Sequence, residues 1–129
     1  MRKIFFLLIL LYVHIGSAQE VSCENLLEFI ESEGYRKGSL SSYTLNSSWL
    51  YKVTAYEYDY RIYVVAEIKR NEYSFSTNTY IFCGIPSQNW SNFRYGSYGD
   101  SNSYGERFHK YIIDYVCNCY WGLNFMPKI

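Results

Sequence analysis

Cysteine and histidine are the residue types in this chain that allow covalent or metal chemistry. The sequence holds four cysteines, at positions 23, 83, 117 and 119, and two histidines, of which His109 is near the last cysteine pair. A free thiol beside His109 would form a nucleophile–base pair. A zinc site would take its ligands from Cys83, His109, Cys117 and Cys119, although their C-x-C spacing departs from the usual C-x₂-C.

The N-terminal sequence indicates in which compartment the protein folds, and the compartment indicates whether the cysteines stay reduced or form disulfides. Arg2 and Lys3 precede an apolar run from position 4 to 14, and Gly16-Ser17-Ala18 has the small residues of a cleavage site. This order is typical of a secretory signal peptide over residues 1–18. The run is shorter than the roughly 20 residues that span a bilayer. We therefore predict a secreted or periplasmic protein without a stable membrane anchor.

Exported cysteines are expected to be oxidised, so four of them predict two disulfides. A bond between Cys117 and Cys119 would be strained by the single residue between them. We expect Cys23 to pair with Cys117 or Cys119, and Cys83 to pair with the one left or to remain a buried thiol. Oxidation also disfavours catalysis with His109 and zinc binding, so we predict no catalytic residue, metal ligand or cofactor.

Tyrosine is the second unusual feature, with 16 copies in 129 residues. Tyr56, Tyr58 and Tyr60 recur at every second position, so on a strand they project from one face, and Tyr63 follows on the neighbouring strand. If helices cover the opposite face, these four rings are exposed. They are then a candidate binding surface for a protein or a carbohydrate.

The charge balance disfavours nucleic acid as a partner. Loss of residues 1–18 removes Arg2 and Lys3, which leaves 10 basic against 12 acidic side chains and a formal charge of −2. Nucleic-acid binding needs clustered cations. That alternative would require a local basic face built from Lys52, Arg61, Lys69 and Arg70. An unrecognised hydrolase or metal-dependent enzyme is the other alternative.

Helical periodicity appears at both ends of the remaining chain. Cys23, Leu26, Leu27 and Ile30 form one stripe of a helix that Ser22 can cap, and Gly34 can close it in the left-handed conformation. Near the C-terminus, Ser103 and Glu106 have the spacing of a capping box. It predicts a helix from 104 to about 117 that buries Phe108 and Ile112. A shorter helix is expected after Ser87 as its cap.

Between the helices, three segments read as strands: 49–58, 61–69 and 79–84. Ile62, Val64 and Ala66 alternate with more polar residues, and Asp59-Tyr60 suits a hairpin turn. With residues 35–48 as a polar connector and 94–102 as a flexible loop, these signals predict an α+β fold. We expect a three-stranded antiparallel meander packed with two to three helices, its core including Val53.

The segment 47–115 resembles the KTSC domain, a module also found at the C-terminus of some lysyl-tRNA synthetases. The resemblance is carried by Ser47-Ser48 with Leu50, Val53 and Tyr56, by Tyr80-Ile81-Phe82 and Gly84-Ile85-Pro86, and by Ser103-Tyr104-Gly105 with Phe108 and Ile112. Here Phe82 replaces the second tyrosine of the family pattern, residues 70–78 form an insertion, and the N-terminal helix and the cysteines are additions. Nucleic-acid binding has been suggested for the family.

The predicted organisation is therefore a signal peptide at 1–18, an N-terminal helix and connector at 19–46, a KTSC-like domain at 47–119 and an apolar tail at 120–129. The predicted function is an exported, non-catalytic binding module. The sequence leaves its partner and oligomeric state open.

Overall fold

A four-stranded antiparallel sheet in the order β1-β2-β3-β4 organises the computed structural model, which describes residues 22–120. The predicted signal peptide and residues 121–129 of the predicted tail lie outside the described residues. The elements in chain order are α1 (Cys23–Glu33), β1 (Tyr35–Leu40), α2 (Ser42–Leu45), β2 (Leu50–Tyr58), β3 (Arg61–Lys69), β4 (Thr77–Cys83), α3 (Ser87–Tyr95) and α4 (Tyr104–Tyr111), followed by 3₁₀ turns at Ile113–Tyr115 and Asn118–Tyr120.

The predicted α+β class is confirmed, but residues 22–120 contain four strands instead of three and four α-helices instead of two to three. The segment taken as a connector contains β1, which pairs with β2 and forms one edge of the sheet, and the short helix α2. Within β1 only Leu40 is buried, and the pairing shifts register between Arg36 and Gly38. An edge strand with one buried residue and a bulge lacks the alternation by which strands are recognised.

One face of the sheet carries the main core, which α3 and α4 cover. The ring of Phe108 lies edge-on to Phe82, Phe93 and Trp49, with centroid distances of 5.3, 5.7 and 5.5 Å. The predicted core residues are all buried here: Val53, Ile62, Val64, Ala66, Phe108 and Ile112. Alternation in β2 and β3 therefore indicated the packed face correctly.

The other face is covered by α1, with Ile30 fully buried against a cluster that includes Val65 and Ile81. Two disulfides hold this layer: Cys23 to Cys119, with Cα atoms 5.3 Å apart, and Cys83 to Cys117, with Cα atoms 5.0 Å apart. The prediction that Cys23 pairs with Cys117 or Cys119 is confirmed, with Cys119 as the partner. None of the cysteines within residues 22–120 is free.

The helix ends follow the predicted caps in part. Ser22 and Ser103 each accept a hydrogen bond from the backbone N–H three residues on, as predicted. Gly34 is extended at φ −76° instead of left-handed; a Cβ there would approach the Ile30 carbonyl oxygen to 2.5 Å, so close packing requires the glycine. Pro86, instead of Ser87, occupies the N-cap position of α3.

Helix α4 ends at Tyr111, six residues before the predicted end. The chain then turns through a 3₁₀ segment, and Val116 forms an antiparallel bridge to Phe82 of β4. The backbone N–H of Cys117 donates to the carbonyl of Ile81. Pairing with the sheet edge thus replaces further helix, and it brings Cys117 to Cys83.

Side-chain anchors hold the segment between α3 and α4, which was predicted as a flexible loop. Buried Arg107 donates from Nε to the carbonyl of Phe93 and from one terminal nitrogen to the carbonyl of Ser101, both at 2.9 Å. Asp100 accepts from Lys110 Nζ at 2.5 Å and from the Tyr111 hydroxyl at 2.6 Å. The loop is therefore tied to α4 at several points.

Asp100 is expected to make stability fall at acid pH. The hydrogen bonds from Lys110 and Tyr111 lower its pKa from 3.8 to about 2. A carboxylate whose pKa is lowered by folding stabilises the protein above its unfolded pKa, and that contribution is lost as pH falls from 3.8 to about 2. Urea titrations over this range should show the loss, and Asp100→Asn should abolish this part of it.

The matched control for this prediction is Asp114→Asn, which alters an exposed carboxylate outside the anchor. It should leave the free energy of unfolding at neutral pH unchanged, whereas Asp100→Asn should lower it. Equal stability of the two variants would contradict the anchoring role of Asp100.

Candidate functional site

The four tyrosines proposed from the sequence as a binding surface lie in different environments. Tyr56 and Tyr63 sit opposite each other on β2 and β3 and pack half-buried against the cluster beneath α1. Burial and the nearby Glu31 carboxylate raise the pKa of the Tyr56 phenol, and Arg36 partly opposes this shift. Helices α3 and α4 cover the opposite face as the hypothesis required, but α1 covers this face as well, so Tyr56 and Tyr63 are only half exposed.

The other two tyrosines are more open to solvent. Tyr58 is 39% exposed, and its ring contacts Phe29 of α1 edge-on at 4.8 Å between centroids. Tyr60 is 97% exposed at the tip of the β2–β3 hairpin. The structure thus separates Tyr60 from the half-covered tyrosines of the sheet face.

The hairpin turn at Asp59-Tyr60 was predicted, and its backbone conformation is unusual. Tyr58 pairs with Arg61, and the two residues between them have φ values of 50° and 62°. This is the two-residue turn that normally takes Asn-Gly or Asp-Gly, because both positions need positive φ. The left-handed conformation costs a residue with a Cβ roughly 1–2 kcal/mol. Tyr60 is therefore held in a strained conformation without burial to offset the cost.

A pocket of about 280 Å³ opens beside this turn. Its apolar floor includes Ile62 and Ile85, which are both buried and are joined by a backbone hydrogen bond of 3.0 Å. The full lining consists of Lys37, Glu57, Tyr60, Arg61, Ile62, Gly84, Ile85, Pro86 and Ser87. The lining as a whole exposes more polar than apolar surface, which suits a polar ligand better than an apolar one.

Charged residues from three strands line the pocket. Lys37 Nζ of β1 lies 3.7 Å from Glu57 Oε2 of β2. Arg61 of β3 is exposed, and its guanidinium makes neither a hydrogen bond nor an ion pair with any residue in the described part of the chain. Because Arg61 pairs with Tyr58, whose ring packs on α1, the Arg61 side chain projects from the face that α1 covers. The Lys37–Glu57 ion pair is therefore the charged feature on the pocket side.

Gly84-Ile85-Pro86 forms the remaining wall. Nothing in the sequence pattern of these three residues indicated a site. Gly84 has φ +66°, and a Cβ there would meet no atom within 4 Å, so conformation rather than space favours glycine. The left-handed residue turns the chain beneath the β2–β3 hairpin. This segment belongs to the KTSC-like pattern, and its position beside Tyr60 follows only from the fold.

A larger hollow of about 630 Å³ lies beside the disulfides, between α1 and the C-terminal turns. Leu26 and the sulfur-bearing residues Cys83, Cys117 and Cys119 contribute to its lining. The described chain ends at Tyr120, directly after this lining. We assign no ligand to this hollow.

The residues considered for other chemistries do not assemble into a site. His109 is exposed beside Trp49, and both Cys83 and Cys119 are engaged in disulfides, so His109 has no thiol partner. No group of His, Cys, Asp and Glu suited to a metal occurs within residues 22–120. Arg61 and Lys69 occupy opposite ends of β3, about 27 Å apart at 3.4 Å per residue, so the four basic residues do not form one compact patch.

No protein-family model, curated protein or solved structure matches this chain. The KTSC resemblance consequently stays a prediction. Among residues 22–120, no helix combines the length and the apolar composition needed to cross a bilayer.

Replacing Tyr60 by glycine is expected to stabilise the protein. Glycine removes the left-handed strain of roughly 1–2 kcal/mol, and its greater unfolded-state freedom returns about 0.4–1 kcal/mol of that gain. No buried contact is lost, since Tyr60 is almost fully exposed. Denaturant titration should therefore show a net gain of up to about 1.6 kcal/mol.

Tyr73→Gly provides the control, because Tyr73 is also exposed but does not have positive φ. That substitution should leave stability unchanged or lower it. A Tyr60→Gly variant less stable than the parent would mean that the ring makes a stabilising contact.

Proposed function

We propose that this protein is an exported, non-catalytic carbohydrate-binding module with a KTSC-like core. Its binding site is the pocket of about 280 Å³ beside the hairpin turn, which we call the Tyr60 pocket. The observation that carries the proposal is the state of Tyr60: a bulky ring that is exposed and held at φ 62° beside a pocket. Residues kept in costly conformations cluster at functional sites. Binding explains why a tyrosine occupies a position that glycine would fill at lower cost.

The chemistry of the pocket favours a sugar over a protein partner. The electron-rich face of a tyrosine ring attracts the C–H face of a pyranose, and charged side chains hydrogen-bond to its hydroxyls. Protein interfaces bury about 800 Å² per partner around an apolar centre poor in charge. Around Tyr60 the neighbours are Lys37, Glu57, Asp59 and Arg61, which suit hydroxyl groups better.

Export is supported by the disulfides. Two bonds within residues 22–120 are typical of proteins that fold in an oxidising compartment. The predicted signal peptide gives the same destination. Polysaccharides of cell surfaces and extracellular matrices are available there.

The test measures binding of the purified, disulfide-bonded protein to a panel of neutral and acidic polysaccharides. We expect retention on at least one of them, and a loss of affinity of about tenfold or more in Tyr60→Gly, the effect of removing one central aromatic anchor. Tyr73→Gly should bind as the parent does. Failure to bind any polysaccharide, or equal binding by Tyr60→Gly, would overturn the proposal.

A further inference from the structure

We propose that the ligand of the Tyr60 pocket is an uncharged saccharide, and that the Lys37–Glu57 ion pair selects it by binding two hydroxyls on neighbouring carbons of one sugar ring. The inference rests on the proposed carbohydrate-binding function and adds the class of sugar. It comes from the charge balance of the pocket and from the way in which the sheet directs these two side chains toward it.

The pairing of β2 with β3 places Glu57 on the pocket side of the sheet. Glu57 lies directly opposite Ile62, which is buried and forms part of the pocket floor. Directly opposed residues of two strands project from the same face of the sheet. The Glu57 side chain therefore stands beside the floor, and it is 40% exposed, so a ligand can reach its carboxylate.

A bulge in β1 directs Lys37 to the same place. The register of β1 against β2 shifts between Arg36 and Gly38, so Lys37 is the extra residue of the bulge. Bulges recur beside active sites, where they re-aim a side chain. Lys37 Nζ lies 3.7 Å from Glu57 Oε2, and the lysine side chain is 30% exposed. Both members of the ion pair are therefore open to a ligand.

The ion pair favours a ligand without charge. An anion would be attracted by the Lys37 ammonium and repelled by the Glu57 carboxylate, and a cation would meet the same two effects with opposite sign. A separation of 3.7 Å is longer than a hydrogen bond, so the two groups attract each other without using up their hydrogen-bonding capacity. Lys37 keeps N–H donors, and Glu57 keeps carboxylate lone pairs, for groups of the ligand.

Two neighbouring hydroxyls of a pyranose match this donor and acceptor. One hydroxyl accepts from Lys37 Nζ and the other donates to the Glu57 carboxylate, and hydrogen bonds of charged groups are stronger than those between neutral groups. The C–H face of the same ring stacks on Tyr60, which also lines the pocket. The pocket thus recognises the hydroxyls of a sugar and offers no net charge to an acidic or basic one.

Retention of the disulfide-bonded protein on polysaccharides of known charge tests the class of ligand. The neutral polymers are mixed-linkage β-glucan, galactomannan and pullulan, the acidic ones are polygalacturonate and alginate, and the basic one is chitosan. We expect the tightest binding to a neutral polymer, by about tenfold or more over any charged one. Oxidising the primary hydroxyls of that neutral polymer to carboxylates should weaken binding by a similar factor.

The substitution Glu57→Gln tests the ion pair itself, because the amide keeps the shape of the side chain and removes its charge. Affinity for the neutral polymer should fall by about tenfold or more, the effect of losing a hydrogen bond to a charged group. Affinity for polygalacturonate should rise, since Lys37 then lacks its counter-ion. A merely structural role of the pair would lower both affinities.

Glu67→Gln is the matched control. Glu67 is half-buried like Glu57, but it lies on the opposite face of the sheet and does not line the pocket. This variant should bind every polymer as the parent does. Thermal melts check that both variants fold.

The outcomes separate this inference from the proposed function. Tightest binding to a charged polymer, lost in Tyr60→Gly, would overturn the uncharged ligand and leave carbohydrate binding in place. Neutral binding that Glu57→Gln leaves intact, or that it loses without a gain for polygalacturonate, would overturn the role of the ion pair alone. Absence of binding to every polymer would overturn both proposals.

Discussion

Replacing Phe108 by alanine is expected to lower the free energy of unfolding by about 3–5 kcal/mol, the range for removing a fully buried aromatic side chain. The Phe108 ring is wholly buried and lies edge-on to Phe82 of β4, Phe93 of α3 and Trp49, the residue before β2. Its loss leaves a cavity where α4, α3 and the sheet meet, and close packing around it prevents full collapse.

Chemical denaturation followed by circular dichroism measures this change. Tyr98→Ala is the control, because Tyr98 is fully exposed in the loop before α4 and its removal should change stability by no more than about 0.5 kcal/mol. A Phe108→Ala loss as small as that of the control would contradict the assignment of the main core.

Removing the Cys23–Cys119 disulfide should have an effect of similar size. The bond spans a sequence separation of 96, and restriction of the unfolded chain by a loop of this length is worth up to about 4.7 kcal/mol in the entropy model. Helix α1 buries only Ile30 fully, so its packing alone holds it weakly. We expect the double substitution Cys23→Ser with Cys119→Ser to cost about 2–5 kcal/mol.

Hydrogen exchange shows where the loss occurs. Amides of α1 should exchange faster in the double variant while those of β3 stay protected, because the second disulfide, Cys83–Cys117, remains. Glu28→Ala, an exposed change in the same helix, should alter neither measurement. Unchanged protection of α1 in the double variant would show that packing, not the disulfide, holds it.

Local signals in the sequence predicted much of the fold. Alternation located β3, the Asp59-Tyr60 pair located the hairpin, and Ser103 with Glu106 located the start of α4, because each depends on neighbouring residues. β1 was missed because it is an edge strand whose stability comes from pairing with β2. The early end of α4 was missed because Val116 bridges to Phe82, a contact between distant residues.

The candidate site was predicted only in part, for the same reason. The tyrosine spacing identified Tyr60, but α1 covers the face on which Tyr56 and Tyr63 lie, and no local pattern shows where a helix packs. Gly84-Ile85-Pro86 read as the end of a strand, and its position beside the hairpin depends on the pairing of β3 with β4. The available sequence signal was the Asp59-Tyr60 pair itself. It occupies a two-residue turn that normally takes Asp-Gly, because both turn positions need positive φ.

The most direct test of the binding site is a two-dimensional NMR titration of the disulfide-bonded protein with a soluble oligosaccharide from the polysaccharide that it binds most tightly, with the backbone amides as reporters. The proposed site predicts saturable shift changes concentrated at residues 59–62 and 84–88, with little change at the 630 Å³ hollow lined by Leu26 and residues 114–119. Saturable shifts confined to that hollow, or none at all, would contradict the account.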